Sequence, residues 1–379
     1  MQAAPCRALG RRRRDGPNKK RLVSMNFPVI VLCAVFVLIA VRRVGNLHLG
    51  LWQIMLLGAV AVLVTGQIGP REALGAIDPD IMLFLFGVFV VGQALEESGY
   101  LFHLSYLAFR RADSADGLIL LILFGFGIAS AFLMNDTLAV IGTPLVLLLA
   151  KQHRMSPKVL LLALAFAVTI GSVVSPIGNP QNLLVAIHGR MPNPFMEFFR
   201  LLALPTVISL LAAFFILKFF YHESFHGDAL VHVRHDLRDK PLARLARLSL
   251  ILIVLLVVVK VTLVFTMPQI DFRLTWIALI AAAPIIFFSP KRWRIVRHID
   301  WRTLVFFAAM FVLMESVWMS GFFQSLMARG NLNPASTGMI LAVSVLLSQL
   351  ISNVPLVALY LPMLIHAGTS TRELLALAS

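Results

Sequence analysis

The 379-residue sequence predicts an all-α integral membrane protein made of two inverted repeats, and its composition and an internal repeat carry this prediction. Hydrophobic residues make up 59% of the chain and charged residues only 13%. Charged residues are about a quarter of an average soluble domain. We expect each repeat to hold about five transmembrane helices and one re-entrant hairpin, with the second repeat incomplete.

The internal repeat is an ordered set of polar and special residues. Residues of the first copy recur 222 positions later: Ile77-Asp78 as Ile299-Asp300, Phe84 as Phe306, and Ser98-Gly99 as Ser320-Gly321. Asn135, with Pro144 nine residues after it, recurs 218 positions later as Asn353 with Pro362. The order of these residues disfavours chance matching of apolar sequence. In a membrane protein, two copies of one unit predict a transporter with its site between them.

Apolar segments long enough to cross about 30 Å of hydrocarbon as helices recur along the chain. We predict membrane segments at 27–41, 48–66, 80–98, 157–188, 200–221, 245–265, 271–289 and 303–320. Lys and Arg lie in the short loops between them, as cytoplasmic loops of membrane proteins do. This explains the net charge of +15, so we expect no nucleic-acid partner. Five crossings per repeat make the two repeats inverted, and placing the basic loop 291–302 in the cytoplasm puts the other basic loops there too.

Two apolar stretches are broken in the middle by polar residues. Residues 117–150 are broken at Asn135-Asp136-Thr137, and residues 334–367 are broken at Ser352-Asn353. Each arm is about sixteen residues, which is short for a crossing. Polar turns at membrane depth are tolerated only where they are buried in protein or line a cavity. We therefore predict re-entrant hairpins whose tips meet near the midplane; the alternative is two ordinary helix pairs with turns at the surface.

A further polar break interrupts the predicted helix 157–188. It reads Ser175-Pro176-Ile177-Gly178-Asn179-Pro180-Gln181-Asn182, and its two prolines and glycine do not continue a helix. An unwound helix frees carbonyls that hold a cation, while the amides that open the next half-helix hold an anion. We therefore predict a broken helix at a binding site; the alternative is a surface loop between two short helices.

The predicted organisation has four parts. Residues 1–24 form a basic tail that is hard to translocate, so we expect Met25 to be the true start; a genuine cytoplasmic arm is the alternative. Residues 25–221 form the first transmembrane repeat, 222–244 a basic cytoplasmic linker, and 245–379 the second repeat. The second copy has no counterpart of the second half of helix 157–188, so we expect it to be truncated.

The hairpin tip Asn135-Asp136-Thr137, the break 175–182 and the tip Ser352-Asn353 resemble the ion transporter superfamily. That superfamily includes arsenite permeases, citrate and dicarboxylate transporters, and sodium/proton antiporters. The resemblance covers roughly residues 25–379. Its dicarboxylate branch carries Ser-Asn-Thr at the tips, which Ser352-Asn353 matches, whereas Asn135-Asp136 is more similar to the arsenite permease and antiporter branches.

The resemblance implies a scaffold, a moving part with elevator-like motion, and binding of substrate and ion at the tips and broken helices. The candidate substrate- and ion-binding residues are Asn135, Asp136, Thr137, Ser175, Gly178, Asn179, Asn182, Ser352 and Asn353. For Na⁺ the candidate ligands are Asn135, Asn179, Ser352 and Asn353. The only cofactor expected is a coupling ion, Na⁺ or H⁺. The resemblance also implies a homodimer in a bacterial-type inner membrane.

Ionisable residues inside membrane segments are functional candidates by default. Asp136, at a hairpin tip, is expected to neutralise a cation or carry a proton, or else to cap the second hairpin arm. Lys260, near the end of its segment, is expected to snorkel to the interface. The sequence contains none of the enzyme motifs that we sought, so we predict no enzymatic activity.

We therefore expect a secondary transporter of a small anion, an oxyanion or an organic acid such as citrate or a dicarboxylate, coupled to H⁺ or Na⁺. The rival within the fold is Na⁺/H⁺ exchange through Asp136. The rival from another class is a non-transporting membrane protein or a truncated scaffold.

Overall fold

The structure, a computed structural model, describes residues 27–41, 43–44, 47–100, 103, 114–152, 155–222, 239–267, 272–322, 336–351 and 353–378. The predicted basic tail 1–24, most of the linker 222–244 and Ser352 lie outside the described residues. The described part is helical apart from a small antiparallel hairpin of β1 (Arg43–Val44) and β2 (Leu47–His48). The prediction of an all-α membrane protein is therefore confirmed at the level of fold class.

The helices agree closely with the predicted membrane segments. In chain order they are α1 (Phe27–Val41), α2 (Leu51–Val64), α3 (Pro70–Ala76), α4 (Pro79–Ser98), α5 (Ala115–Ser130), α6 (Asn135–Gln152), α7 (Pro157–Ser172), α8 (Pro180–His188), α9 (Pro194–Phe220), α10 (Lys240–Thr266), α11 (Leu274–Phe288), α12 (Arg292–His298), α13 (Trp301–Met319), α14 (Thr337–Ile351), α15 (Asn353–His366) and α16 (Thr371–Ala378). Within the described residues, α4, α9, α10 and α13 are long and apolar enough to cross a membrane.

The residues of the internal repeat are helix caps. Asp78 Oδ1 accepts the backbone N–H of Asp80 at 2.8 Å and opens α4, as Asp300 Oδ1 accepts that of Thr303 at 3.1 Å and opens α13. At the other ends, Gly99 and Gly321 take left-handed φ values of 71° and 74° that glycine adopts without strain. The caps give two helices of 20 and 19 residues, each preceded by a seven-residue helix, α3 or α12.

The two halves pack on each other reciprocally. Helix α4 packs on α10 and α11 of the second half, and α13 packs on α1 and α2 of the first. The approach of α4 to α11 requires glycine, because a Cβ at Gly87 would lie 2.7 Å from the backbone carbonyl carbon of Ala278. Each half therefore uses the same pair of elements to hold the other.

Polar contacts fix the relative directions of these helices. Thr275 Oγ1 donates to Asp80 Oδ1 at 2.9 Å, so α11 and α4 begin at the same end. At the other end, Arg294 Nε lies 2.9 Å from Glu97 Oε1. Arg294 belongs to α12, which leads into α13, so α4 ends where α13 begins.

The snorkelling predicted for Lys260 is wrong. Only 7% of this residue is exposed, and its Nζ donates a 2.6 Å hydrogen bond to the backbone carbonyl of Phe272. The loop before α11 brings that carbonyl to the end of α10, so the ammonium has a partner within the protein and does not reach for solvent.

Candidate functional site

The first hairpin, α5 and α6, packs against the first half of the broken helix, α7. The approach is close because two glycines face each other: a Cβ at Gly171 would lie 2.3 Å from the Cα of Gly127. Ser130 Oγ donates to the carbonyl of Val168 at 2.7 Å. At the tip, the backbone N–H of Asn135 donates to the carbonyl of Gly178 at 2.9 Å. The tip is thereby docked on the break between α7 and α8.

The break itself is held from inside by amides. The Asn182 Nδ2 group donates to the carbonyls of Ser172, Val173 and Ser175 at 3.3, 3.1 and 2.9 Å. Asn179 Oδ1 accepts the backbone N–H of Asn182 at 2.8 Å, which opens α8. Both asparagines are fully buried. The break leaves these carbonyls without α-helical partners. The Asn182 amide serves all three, and the backbone N–H groups of Ser175 and Gly178 also donate to two of them.

Two other predicted residues shape the same turn. A Cβ at Gly178 would lie 2.2 Å from the carbonyl oxygen of Ser172, so only glycine fits. Ser175 Oγ accepts the backbone N–H of Ile177 at 3.3 Å. Ser175, Gly178, Asn179 and Asn182 thus lie inside the break and are not among the residues that line the neighbouring cavity.

The second hairpin, α14 and α15, packs on α16, and α15 also packs on α8. Its base is near the end of α13, where the rings of Trp318 and His366 lie 5.0 Å apart. Asn353, the first residue of α15, is exposed at the tip. Ser352 of the predicted tip lies outside the described residues.

A cavity of about 1020 Å³ lies between the two tips. It brings together four predicted site residues, Asn135, Asp136, Thr137 and Asn353. The tip of the first hairpin also contacts α4, where Gly92 leaves room for Thr137: a Cβ at Gly92 would lie 2.5 Å from Thr137 Cγ2. The cavity is therefore bounded by both hairpins and by a helix of the interlocked pair.

Helix N-termini converge on this cavity. Its lining includes residues from the first turns of α2, α6, α8, α13 and α15. The N-terminus of an α-helix carries roughly half a positive charge and directs backbone amides outward. Several such ends around one cavity make it favourable for negative charge.

Ionisable side chains of both types also line the cavity. Arg297 and Arg302 are basic, while Glu96, Asp136 and Asp300 are acidic. The Asp300 carboxylate is engaged locally, because it accepts from the Thr303 backbone N–H at 3.1 Å and from the Thr303 hydroxyl at 2.5 Å. The site is therefore suited to an anion together with a cation or a proton.

Several lining residues were not predicted. Gln181 lies in the break that the sequence revealed, next to residues that turn inward. Arg297 and Arg302 belong to the basic loop that served only to orient the chain, and Gln93 lies one turn from the end of α4. In the sequence, the adjacent residues Gly92 and Gln93 in an otherwise apolar helix were the feature that could have indicated this wall of the cavity.

The described candidate Na⁺ ligands do not all face the cavity. Asn135 and Asn353 line the cavity, whereas the Asn179 side-chain oxygen is taken by the backbone of Asn182. Among the described residues no group of three or more His, Cys, Asp or Glu side chains is placed to hold a metal ion.

Comparison with known proteins gives a consistent result. A family model described as citrate transporter matches residues 34–379. A silicon efflux transporter of Oryza sativa subsp. japonica is 37% identical over 168 residues, which are 44% of this chain and 34% of that protein. The chain therefore aligns with only about a third of the rice transporter's length.

Two further matches cover more of the chain. The inner membrane protein YbiR of Escherichia coli is 27% identical over 305 residues, which are 80% of this chain and 76% of that protein. The structure of the YdaH transporter of Alcanivorax borkumensis covers 95% of this chain and 86% of its own, with a TM-score of 0.51 and 15% identity. At that identity the likeness supports the fold alone.

Proposed function

The chain belongs to the citrate transporter family, and from that premise we propose that it is a secondary active transporter that moves a small anion coupled to H⁺ or Na⁺. Family membership makes it a multi-pass membrane transporter and not an enzyme. The substrate class that we propose is an oxyanion or an organic acid such as citrate or a dicarboxylate.

The cavity between the hairpin tips carries this proposal. Helix N-termini and two arginines, Arg297 and Arg302, face it, and both features favour an anion over a neutral solute. We assign Asn135, Thr137 and Asn353 to substrate or ion contact because their side chains line this cavity. Asn179 and Asn182 act as positioning residues, since they hold the break on which the first tip is docked.

Coupling is assigned to Asp136. This carboxylate lies in the first turn of α6, at the tip, and faces the same cavity as the arginines. An ion or proton bound there neutralises one charge while the anion neutralises those of the arginines. Both ligands then leave the cavity as a compensated pair, which lowers the electrostatic cost of moving through a low-dielectric barrier.

The architecture that we propose is a pair of inverted repeats with re-entrant hairpins. The reciprocal packing of α4 and α13, and the meeting of the end of α4 with the start of α13, support inversion. Arms α5 and α14 have 16 and 15 residues. At 1.5 Å per residue each spans about 24 Å, less than the ~30 Å hydrocarbon core. The hairpins and α7–α8 form the moving part, and α4 and α13 belong to the scaffold.

The second candidate function is cation/proton exchange, and the three carboxylates that line the cavity favour it. Glu96, Asp136 and Asp300 together outnumber the two arginines there. In this alternative Asp136 binds Na⁺ and H⁺ in turn, and no anion crosses. The two functions differ in which solute accumulates.

Uptake into proteoliposomes separates them. The panel is citrate, succinate, sulfate, arsenite and sodium, each measured with and without an imposed pH gradient. Accumulation of an anion that requires the gradient or Na⁺ supports the proposal. Movement of Na⁺ against H⁺ without any anion overturns it in favour of exchange, and movement of nothing on the panel favours a non-transporting role.

A further inference from the structure

Two arginines that line the cavity have no ion-pair partner among the described residues. Arg297 lies in the last turn of α12 and Arg302 in the first turn of α13, and both are exposed to the cavity. Within the described part of the chain, neither guanidinium has a carboxylate oxygen within the 4.0 Å of an ion pair. Their neighbours differ: Arg294 pairs with Glu97 at 2.9 Å, and Lys291 with Asp239 at 2.6 Å.

The general rule that basic residues stay in the cytoplasm does not account for this placement. That rule concerns the number of charges in a loop and is indifferent to where they point. Arg292 satisfies it equally well, yet it does not line the cavity. The position of Arg297 and Arg302 on the cavity wall therefore needs an explanation other than the sidedness of basic loops.

The internal repeat shows that these charges are specific to one half. The positions 222 residues earlier are Gly75 and Asp80. Asp80 pairs with Arg273 at 3.1 Å, so its charge is compensated within the interlocked helices. If the halves are inverted, as proposed above, the opening on the opposite face has no such arginines. The two faces of the transporter are then electrostatically unequal.

We propose that Arg297 and Arg302 form an anion-capture pair, which draws a multiply charged anion into the cavity from one face of the membrane only. The pair rests on the proposed function and refines its substrate class to di- and tricarboxylates and divalent oxyanions. Guanidinium groups bind carboxylates and oxyanions with paired hydrogen bonds. Two guanidinium groups can each pair with a separate anionic group of such a ligand, whereas a ligand with one anionic group engages them less fully.

The pair predicts a one-sided kinetic effect. The half-saturation concentration for such an anion is lower on the face that carries the arginines, and it rises with ionic strength because exposed charges are screened. One charge pair at about 4 Å in water corresponds to roughly a fivefold change in affinity. We therefore expect each Arg→Gln substitution to raise this half-saturation concentration about fivefold at low salt.

The test uses the full chain in everted and in right-side-out membrane vesicles, which present opposite faces to the bath. Radiolabelled citrate, succinate and sulfate are the probes, at low and at high salt. The variants are Arg297→Gln and Arg302→Gln, with Arg302→Lys to retain the charge. Arg292→Gln is the control: it removes the same charge, lies in α12 as Arg297 does, and does not line the cavity. Binding of citrate to detergent-solubilised protein gives a second readout that does not need transport.

The expected result is a loss of apparent affinity on one face only, at low salt, for Arg297→Gln and Arg302→Gln but not for Arg292→Gln. Arg302→Lys keeps the charge but not the paired hydrogen bonds, so its loss is smaller than that of Arg302→Gln. Anion transport in which the cavity variants behave like Arg292→Gln overturns the capture pair and leaves the proposed function standing. An equal effect on both faces also overturns it. If the wild-type protein neither binds nor moves any of the three anions, the proposed function fails and the capture pair fails with it.

Discussion

The backbone N–H of Asn135 donates a 2.9 Å hydrogen bond to the carbonyl of Gly178, so the tip of the first hairpin and the break between α7 and α8 form one unit. A residue that shapes the break therefore also sets where the tip lies. Changes inside the break and changes on the cavity wall are then expected to have separable effects, the first on stability and the second on transport.

Gly178→Ala tests the packing of the break. The new Cβ would meet the carbonyl oxygens of Ser172 and Ser130 at 2.2 and 2.9 Å, and backbone atoms cannot swing away as side chains do. We expect the free energy of unfolding to fall by about 1–3 kcal/mol, the cost of overpacking a tight site. Denaturant unfolding in mild detergent measures it. Gly125→Ala is the control, since a Cβ there meets nothing within 4 Å; an equal loss in both variants would contradict the assignment.

Asn182→Ala and Gln181→Ala separate structure from transport. Asn182→Ala removes the amide donor that the carbonyls of Ser172, Val173 and Ser175 share in a buried turn. The Ser172 and Ser175 carbonyls keep backbone N–H donors at 3.3 Å, so the Val173 carbonyl loses the most. We expect the unfolding free energy to fall by about 1–3 kcal/mol, the cost of one buried unsatisfied group. Gln181→Ala removes a cavity side chain, so it should alter the half-saturation concentration for the substrate and leave stability unchanged. Unfolding and uptake are measured on both variants. A loss of stability in Gln181→Ala together with altered uptake but unchanged stability in Asn182→Ala would contradict the assignment.

Asp136→Asn tests coupling. The amide keeps the shape of the side chain but holds neither a proton nor a full negative charge. We expect uptake driven by a pH or Na⁺ gradient to fall at least tenfold and to lose its dependence on that gradient, while the unfolding free energy stays within about 0.5 kcal/mol. The control is Glu197→Gln in the first turn of α9, away from the cavity. Gradient-dependent uptake that survives in Asp136→Asn would remove this residue from the mechanism.

Asp239 links stability to pH at the start of α10. The backbone N–H of Leu242, and then the Lys291 ammonium, hold the pKa of Asp239 below its ordinary value. Because the pKa is lower in the folded protein, this stabilisation is fully present above the ordinary carboxyl pKa and is lost as the pH falls through the folded value. Asp239→Ala should reduce the unfolding free energy by about 1 kcal/mol near neutral pH, the usual worth of a helix cap.

The comparison for Asp239 is a pH series of unfolding curves for wild type and variant. Their difference should shrink as the pH falls below the ordinary carboxyl range. A difference that stays constant down to acid pH would show that the carboxylate charge contributes nothing.

The predicted helices agree with the structure because long apolar segments between basic loops leave few alternatives. The repeat was detectable because helix caps admit few residue types: Asp at an N-terminus, glycine at a left-handed C-terminus. Asn135, Asp136, Thr137 and Asn353 line a cavity, and polar residues in the middle of an apolar hairpin indicated such a position; their role in binding stays a prediction.

The remainder of the site was not predictable from residue types. In the break, Asn179 and Asn182 face inward and Gln181 faces the cavity, although all are amides. Which one turns inward depends on where the freed carbonyls lie, and this is a property of the three-dimensional turn. Arg297 and Arg302 were not predicted for a related reason. A basic loop indicates the side of the membrane on which it lies, but not which of its side chains line a cavity.

The matched caps of α4 and α13 also bear on how such a chain diverges. The caps Asp78 and Gly99 set the length of α4, and Asp300 and Gly321 set the length of α13. The two helices are therefore nearly equal in length, whatever residues lie between and beside the caps. Glu72 and Arg294 occupy corresponding positions and carry opposite charges, although the lengths of the two helices are nearly the same. The two helices therefore differ in the charges that precede them while their lengths differ by one residue.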